Sequence, residues 1–197
     1  MRIMIKIERA RPDDVADFSR MILLSAPYFP ELLGPGIQNV LERMFVKKKN
    51  LFSFTHVHKA VVSGVTAGML LSYSDAERKY EQWITGWQLF RQIPFRMAKN
   101  IQILLQLDKT TGSPGAGNYY ISNIATFPEF RRQGVAVELM HCARELAEKS
   151  TSLGIVLDVE AENTAARSLY EKLGFKTEKK FRIAGSGLAL SFVRMKL

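Results

Sequence analysis

Residues 124–136 read IATFPEFRRQGVA: a strand-like segment ends, a basic loop turns and a helical pattern begins. The first amides of a helix have no intrahelical acceptor, and the helix dipole adds partial positive charge there. A diphosphate placed at such a helix start gains several backbone hydrogen bonds. Gly134 removes a side chain that would block close approach, while Arg131 and Arg132 add positive charge. The segment therefore predicts a phosphate-binding loop, with an ordinary basic helix start as the alternative.

Other phosphate-binding motifs fit this sequence badly. The Walker loop needs a Gly-Lys-Ser/Thr ending, and neither that ending nor the G-x-G-x-x-G dinucleotide fingerprint occurs. A second informative segment, residues 163–175, reads NTAARSLYEKLGF. The two segments together resemble the GCN5-related N-acetyltransferase family, whose motifs are Arg/Gln-x-x-Gly-x-Gly/Ala and, downstream, Asn-x-x-Ala-x-x-Leu-Tyr-x-x-x-Gly-Phe. The resemblance is strong over residues 119–175.

This resemblance implies an α+β fold of three layers, the acyl-CoA N-acyltransferase fold. Its sheet is mixed and mostly antiparallel, with six to seven strands, and two central parallel strands splay apart between flanking helices. Hydrophobic periodicity in the chain agrees with that order. It predicts strands near residues 3–9, 51–57, 61–73, 119–126, 154–159, 175–183 and 188–195, with His58-Lys59 as a turn. It predicts helices from Pro12 to Leu24 and near residues 37–46, 134–149 and 164–173.

Residues 74–118 interrupt this order as a helical insertion between the third and fourth strands of a single domain, residues 1–197. The insertion contains helix-like runs at 75–90 and 95–107 and a glycine-rich loop at 110–117. A lid over the substrate site and a helical pair packed on the sheet are both open. Aromatic residues here and before Gly34 are expected in an acceptor pocket or in the core: Tyr28, Phe29, Trp83, Trp87 and Phe90.

The resemblance also implies a reaction and its participants. An acetyl group moves from acetyl-CoA to a primary amine by direct attack in a ternary complex. The acceptor is a small-molecule amine or a protein N-terminus, and a non-catalytic acyl-CoA-binding module is the alternative. The implied cofactor contacts are Ile124, Ala125, Thr126, Arg131, Arg132, Gln133, Gly134, Val135, Ala136, Val137 and Asn163. Tyr170 matches the family's tyrosine near the cofactor sulphur and is the candidate general acid.

The general base is less clearly indicated. The candidate base is Asp158, which lies near the end of the second central strand, twelve residues before the candidate acid. In relatives that acetylate protein N-termini, a glutamate at this spacing serves as the base. Glu160 and Glu162 are rivals, and Ser122 and Asn123 could hold a water or the acceptor amine.

Composition narrows the partners. The net charge is +9, but the basic residues are spread widely, so we expect no specific nucleic-acid partner. No apolar run approaches the roughly 20 residues of a membrane span, so we expect no membrane partner. The single cysteine, Cys142, suits a reducing compartment, and we expect a cytoplasmic protein. His56 and His58 are more typical of surface residues than of a metal site, and we expect no metal. A homodimer remains open.

Overall fold

The computed structural model describes residues 3–92, 115–185 and 188–197. These residues form one seven-stranded sheet in the order β1-β2-β3-β4-β5-β7-β6. Its strands are β1 (Ile5–Arg9), β2 (Val57–Val62), β3 (Val65–Ser74), β4 (Tyr119–Thr126), β5 (Ile155–Glu160), β6 (Lys176–Gly185) and β7 (Leu188–Lys196). The pair β4–β5 is parallel, and all the other neighbouring pairs are antiparallel. The predicted mixed, mostly antiparallel sheet is confirmed.

Helices cover both faces of this sheet. They are α1 (Val15–Ser25), α2 (Phe29–Leu33), α3 (Ile37–Phe45), α4 (Asp75–Phe90), α5 (Val135–Lys149) and α6 (Thr164–Lys172). Leu71 of β3 belongs to a buried cluster with Phe18 of α1 and Leu41 of α3. Its neighbour Leu70 points to the opposite face and joins a cluster with Leu139 of α5. The sheet is thus the middle of three layers, as the family resemblance implies.

Local signals set the two helices that follow β4 and β5. Gly134 takes a left-handed conformation with φ of 88° immediately before α5. Asn163 caps α6, because its side-chain oxygen accepts a hydrogen bond from the Ala166 amide at 3.1 Å. Gly174, with φ of 93°, ends the turn after α6. Both helix starts lie where the sequence places them.

The β2–β3 hairpin is shifted from its predicted position. The turn predicted at His58-Lys59 is wrong, since these residues lie within β2. The chain turns instead at Ser63-Gly64, where both residues have positive φ. The predicted strand at residues 51–57 is also wrong, because a 3₁₀ turn occupies Phe54–His56. The apolar pattern of residues 57–62, VHKAVV, suits one continuous strand as well as two strands joined by a turn, so the pattern alone did not locate the turn.

Helix α4 lies in the described part of the predicted insertion. It begins with a capping box, in which the Ser74 hydroxyl accepts from the Glu77 amide at 3.3 Å and the Glu77 carboxylate accepts from the Ser74 amide at 2.7 Å. The Leu51 amide donates to the Thr85 hydroxyl at 2.8 Å and ties the helix to the segment before β2. The predicted run at 95–107 and most of the loop at 110–117 lie outside the described residues.

Two expectations about side chains near α4 are wrong. His56 is buried, with 6% of its surface exposed, and its Nε2 lies 2.9 Å from a carboxylate oxygen of Glu81. Trp83, Trp87 and Phe90 lie neither in the core nor in a pocket, because they are 61–80% exposed. Both differences follow from the orientation of α4: the side of the helix that carries Glu81 faces the body of the protein and contacts His56, and the side that carries the aromatic residues faces solvent. None of the helices in the described ranges is long and apolar enough to span a bilayer.

Candidate functional site

The parallel strands β4 and β5 separate along their length. Residues 119–121 pair with residues 155–157, and the ladder then stops. Since β4 continues to Thr126 and β5 to Glu160, their facing edges beyond this point have no strand partner. Backbone amides and carbonyls away from water need hydrogen-bond partners. The predicted splay is therefore present, and its free edges can pair with an extended ligand.

A cavity of about 540 Å³ occupies this gap. Among the residues predicted to contact the cofactor, those lining the cavity are Ile124, Ala125, Thr126, Arg131, Arg132, Gly134, Val135, Ala136, Val137 and Asn163. Gln133 does not line it, because its side-chain amide turns back and donates to the Glu129 carbonyl at 3.1 Å. Tyr170 and Asp158 line the same cavity. The structure thus brings together the predicted residues from three separate segments of the chain.

The start of α5 presents free backbone donors to this cavity. The Glu138 amide donates to the Gly134 carbonyl at 3.1 Å, which is the first bond of the helix. The amides of residues 135–137 therefore have no intrahelical acceptor. A Cβ atom built on Gly134 would meet only the side chain of Ile5, at 3.9 Å. Open space, free amides and the positive end of the helix dipole together suit a diphosphate.

Gly68 of β3 lies behind the cavity-lining end of β4, and its supporting role was not predicted from the sequence. It pairs with Thr126 at the end of β4. A Cβ atom at Gly68 would lie 2.6 Å from the Ala125 carbonyl oxygen and 3.1 Å from the side chain of Val135. Any larger residue would push the Ala125 carbonyl of β4 away and crowd Val135 at the start of α5. The available signal was an isolated glycine inside an apolar strand pattern, which often marks close backbone approach.

Tyr170 places an unpaired hydroxyl at the cavity. The side chain is 7% exposed, and its ring packs against Phe175 with centroids 5.9 Å apart. Burial raises the pKa of Tyr170 to about 12, so the phenol stays protonated at neutral pH. In the described part of the chain no group is hydrogen-bonded to this hydroxyl. It is therefore free to donate a hydrogen bond to a ligand.

Asp158 is fully engaged by neighbouring side chains. The Arg194 guanidinium donates to both carboxylate oxygens, at 2.8 and 2.7 Å, and the Tyr120 hydroxyl donates to one of them at 3.0 Å. The side chains of both ion-pair partners are 3% exposed or less. A carboxylate held in this way is committed to its ion pair and hydrogen bonds within the protein. The geometry does not favour Asp158 as a base.

Glu160 is the alternative carboxylate on the same strand and the same face. It lines the cavity, and burial raises its pKa above the ordinary value for glutamate. Burial, followed by the negative charges of Glu160 and Asp158, strongly raises the pKa of Tyr28, which lines the cavity beside them. Glu162 is exposed and does not line the cavity. Glu160 thus combines access to the cavity with increased basicity.

Polar groups from β4 and α1 complete this side of the cavity. The Ser122 hydroxyl donates to the Asn123 side-chain oxygen at 3.0 Å, and the Asn123 amide donates to the Ser25 hydroxyl at 2.9 Å. Ser122 has no counterpart in β3, because the register between the strands shifts between Leu71 and Ser72. Such a bulge redirects side chains. All three polar residues line the cavity, on the side away from the basic loop.

Comparison with known proteins agrees with this geometry. The family model described as the acetyltransferase (GNAT) family matches residues 61–175, more than half of the chain. N-alpha-acetyltransferase 30 of Schizosaccharomyces pombe is 39% identical over 56 residues, which are 28% of this chain and 37% of that protein. The NAA20 catalytic subunit of the N-terminal acetyltransferase B complex of Arabidopsis thaliana is 33% identical over 70 residues, which are 35% of this chain and 40% of that protein. These matches span well under half the length of either relative.

Solved structures share the whole fold. The crystal structure of an N-acetyltransferase from Staphylococcus aureus Mu50 superposes with a TM-score of 0.69 at 24% identity. The match covers 98% of this chain and 100% of that one, so it includes the layers on both faces of the sheet. The family match covers the strand splay, the loop before α5 and the α6 segment, which build most of the cavity. The chain belongs to the acetyltransferase (GNAT) family.

Proposed function

We propose that this protein transfers an acetyl group from acetyl-CoA to an amine. One observation carries the proposal: a single cavity joins the free amides at the start of α5, the unpaired edges of β4 and β5, and the Tyr170 hydroxyl. Acetyl-CoA presents a diphosphate, an amide-bearing arm and a thioester in the same order. Each chemical group of the ligand therefore has a matching set of partners in the protein.

The donor side of this arrangement depends mostly on the backbone. When bound, acetyl-CoA supplies a thioester carbonyl that an amine can attack. The free amides of residues 135–137 would hold the diphosphate, with Arg131 and Arg132 adding positive charge. The edge of residues 124–126 would pair with the arm and offer an amide to the carbonyl oxygen as charge develops there.

Tyr170 acts on the leaving sulphur in this proposal. Its pKa of about 12 exceeds the roughly 8.5 of an ordinary thiol, so complete proton transfer to the thiolate would cost ~5 kcal/mol. The hydroxyl therefore contributes a hydrogen bond that strengthens as the sulphur gains negative charge. Such an interaction stabilises the transition state more than the ground state, which is what raises turnover.

We assign the general base to Glu160 in place of Asp158. The amine must be neutral to attack, and a half-buried carboxylate with a raised pKa is better matched to removing its proton. Asp158 would instead fix β5 against β7 through its ion pair with Arg194. Because Asp158 and Glu160 are two residues apart on one strand, that pairing also orients the base.

The acceptor to test first is a peptide N-terminus. The names of both relatives described above specify N-alpha or N-terminal acetylation. A side of the cavity lined by Glu160, Tyr28 and Asn123 offers polar partners to an amine, and small-molecule amines form the second group to test.

An assay of thiol release with acetyl-CoA tests the proposal directly. The protein is incubated with peptides bearing free or blocked N-termini and with small-molecule amines, and products are identified by mass spectrometry. We expect thiol release that matches acetylated amine, with no product from blocked peptides. Binding of acetyl-CoA without transfer to any acceptor would favour the non-catalytic module. Absence of binding would refute the proposal.

A further inference from the structure

Helix α4 exposes a continuous row of aromatic side chains to solvent. We call this row the aromatic seam; it comprises Tyr80, Trp83, Trp87 and Phe90, which are 65%, 80%, 61% and 70% exposed. The rings of Trp87 and Phe90 stack with centroids 6.1 Å apart. The opposite side of the helix carries Glu81 and Thr85, which are buried against the body of the protein. Apolar patches of this kind usually mark a binding surface.

The spacing of the seam is that of a helix-packing surface. Its residues follow one another at intervals of three, four and three, the a/d spacing at which one helix packs along another. A helix that lies on a membrane presents a broader apolar face. The spacing therefore favours a partner helix over a lipid surface.

The seam is also symmetric about Thr85. Tyr80 and Phe90 each lie five residues from Thr85, and Trp83 and Trp87 each lie two residues from it. A two-fold axis that crosses the seam side at the level of Thr85 would set two antiparallel copies of α4 side by side. Tyr80 of one copy would then meet Phe90 of the other, and Trp83 would meet Trp87. Such self-complementary contacts define a closed dimer interface.

Gly86 supports close approach of a second helix at this seam. It lies on the same side of α4, three residues after Trp83 and four before Phe90. Glycine weakens a helix relative to alanine, yet a Cβ atom here would meet nothing within 4 Å. Nothing within the described chain explains the missing side chain, whereas the backbone of a packed second helix would.

Charge and area are compatible with this pairing. Arg91 follows α4, and in an antiparallel pair it would approach the first turn of the partner helix, where Glu77 is 50% exposed. Lys79 in that turn is already paired with Asp75 at 2.7 Å.

The area of the seam is also sufficient for a dimer. If each aromatic side chain can bury about 150–250 Å² and is counted in proportion to its exposed fraction, the seam contributes roughly 500 Å² per chain. Two copies would bury roughly 1,000 Å², the lower bound for a specific interface.

We infer that the protein forms a homodimer in which α4 packs against α4 of a second copy along the aromatic seam. The dimer leaves the acetyl-transfer cavities open. Helix α4 begins after Ser74, which pairs with Tyr119 at the first residue of β4, whereas the basic loop follows Thr126 at the other end of that strand. The inference does not depend on the proposed function.

Sedimentation equilibrium and tryptophan emission test this inference on the full chain. The chain has two tryptophans, Trp83 and Trp87, and both belong to the seam, so emission reports on this surface alone. We expect a mass twice the chain's 22.3 kDa, with emission that shifts to the red as dilution separates the copies. Trp83→Glu should weaken the dimer at least tenfold. Gly86→Gln should do so as well while favouring the helix of the single chain, so misfolding would not explain its effect.

Val65→Glu is the matched control, because Val65 is 56% exposed at the far end of β3 from α4. This variant should dimerise like the wild type. Four results would overturn the inference. The first is a single-chain mass at every concentration with solvent-exposed tryptophans, and the second is a monomer with shielded tryptophans. The third is a monomer whose tryptophan emission changes only with phosphatidylserine vesicles. The fourth is a dimer that Trp83→Glu and Gly86→Gln do not weaken. The second would mean that another part of the same chain covers the seam, and the third that lipid does.

Discussion

Replacing Tyr170 by phenylalanine removes one hydroxyl from the cavity and leaves the packing of the ring on Phe175 in place. The hydroxyl has no partner in the described structure, so its loss breaks no existing hydrogen bond. In the proposed reaction it donates to a sulphur that gains negative charge. The variant should therefore fold and bind acetyl-CoA normally but turn over more slowly.

The size of the effect follows from the charge on the acceptor. Hydrogen bonds to charged groups contribute about 1.5–3 kcal/mol. Since each 1.36 kcal/mol changes a rate tenfold, kcat should fall by roughly 10- to 100-fold. With a pKa of about 12, Tyr170 stays protonated at any pH compatible with the assay, so the wild-type rate should show no alkaline loss from this group.

Steady-state thiol release gives kcat, and calorimetry gives the affinity for acetyl-CoA. Tyr119→Phe is the matched control. Burial raises the pKa of Tyr119 to about 12 as well. Its hydroxyl is hydrogen-bonded to the Ser72 hydroxyl at 3.0 Å, however, and the residue does not line the cavity. The control should turn over like the wild type. An unchanged kcat for Tyr170→Phe, or a loss shared equally by the control, would refute the role of this hydroxyl.

Three further predictions concern other groups. Glu160→Gln should lower kcat by ~10²-fold or more. It should also abolish the rise in rate with pH that accompanies ionisation of the Glu160 carboxylate. A retained pH profile would exclude Glu160 as the base. Asp158→Asn should lower the free energy of unfolding in urea by ~3–5 kcal/mol, because the buried Arg194 charge loses the opposite charge of Asp158; a change below ~1 kcal/mol would contradict this. Burial, and then the charges of Arg9 and Lys149, lowers the pKa of His58 to about 4, below its unfolded value of about 6.5. The free energy of unfolding should therefore fall by up to ~3 kcal/mol as the pH drops from about 6.5 to about 4. The variant His58→Gln should flatten that pH dependence.

The parts of the site that depend on local chain geometry could be predicted from sequence. A helix start exposes its first amides whatever the rest of the fold does, so the loop before Gly134 indicates a diphosphate site, and the downstream motif at residues 163–175 was needed to favour that site over an ordinary basic helix start. The cap at Asn163 follows in the same way from one side chain and the amides next to it. The splay of β4 and β5 required the family resemblance, because pairing between strands is not visible in the periodicity of either strand.

The parts that depend on distant pairing could not be predicted. Arg194 meets Asp158 across 36 residues of sequence, and the contact depends on the register of β7 against β5. A carboxylate at the expected spacing therefore looked like a candidate base until its partner was known. The burial of His56 has the same origin, since Glu81 reaches it from a helix 25 residues away. Spacing within one segment carries no information on such contacts.

The most direct test of the account compares the affinity of acetyl-CoA with that of S-acetylpantetheine, which has the same thioester and arm but lacks the diphosphate and the adenosine 3′-phosphate attached to it. If the amides at the start of α5 hold the diphosphate, two or more charge-assisted hydrogen bonds separate the ligands, and calorimetry should give a dissociation constant at least ~100-fold lower for acetyl-CoA. Equal dissociation constants, or no measurable affinity for acetyl-CoA, would contradict the account.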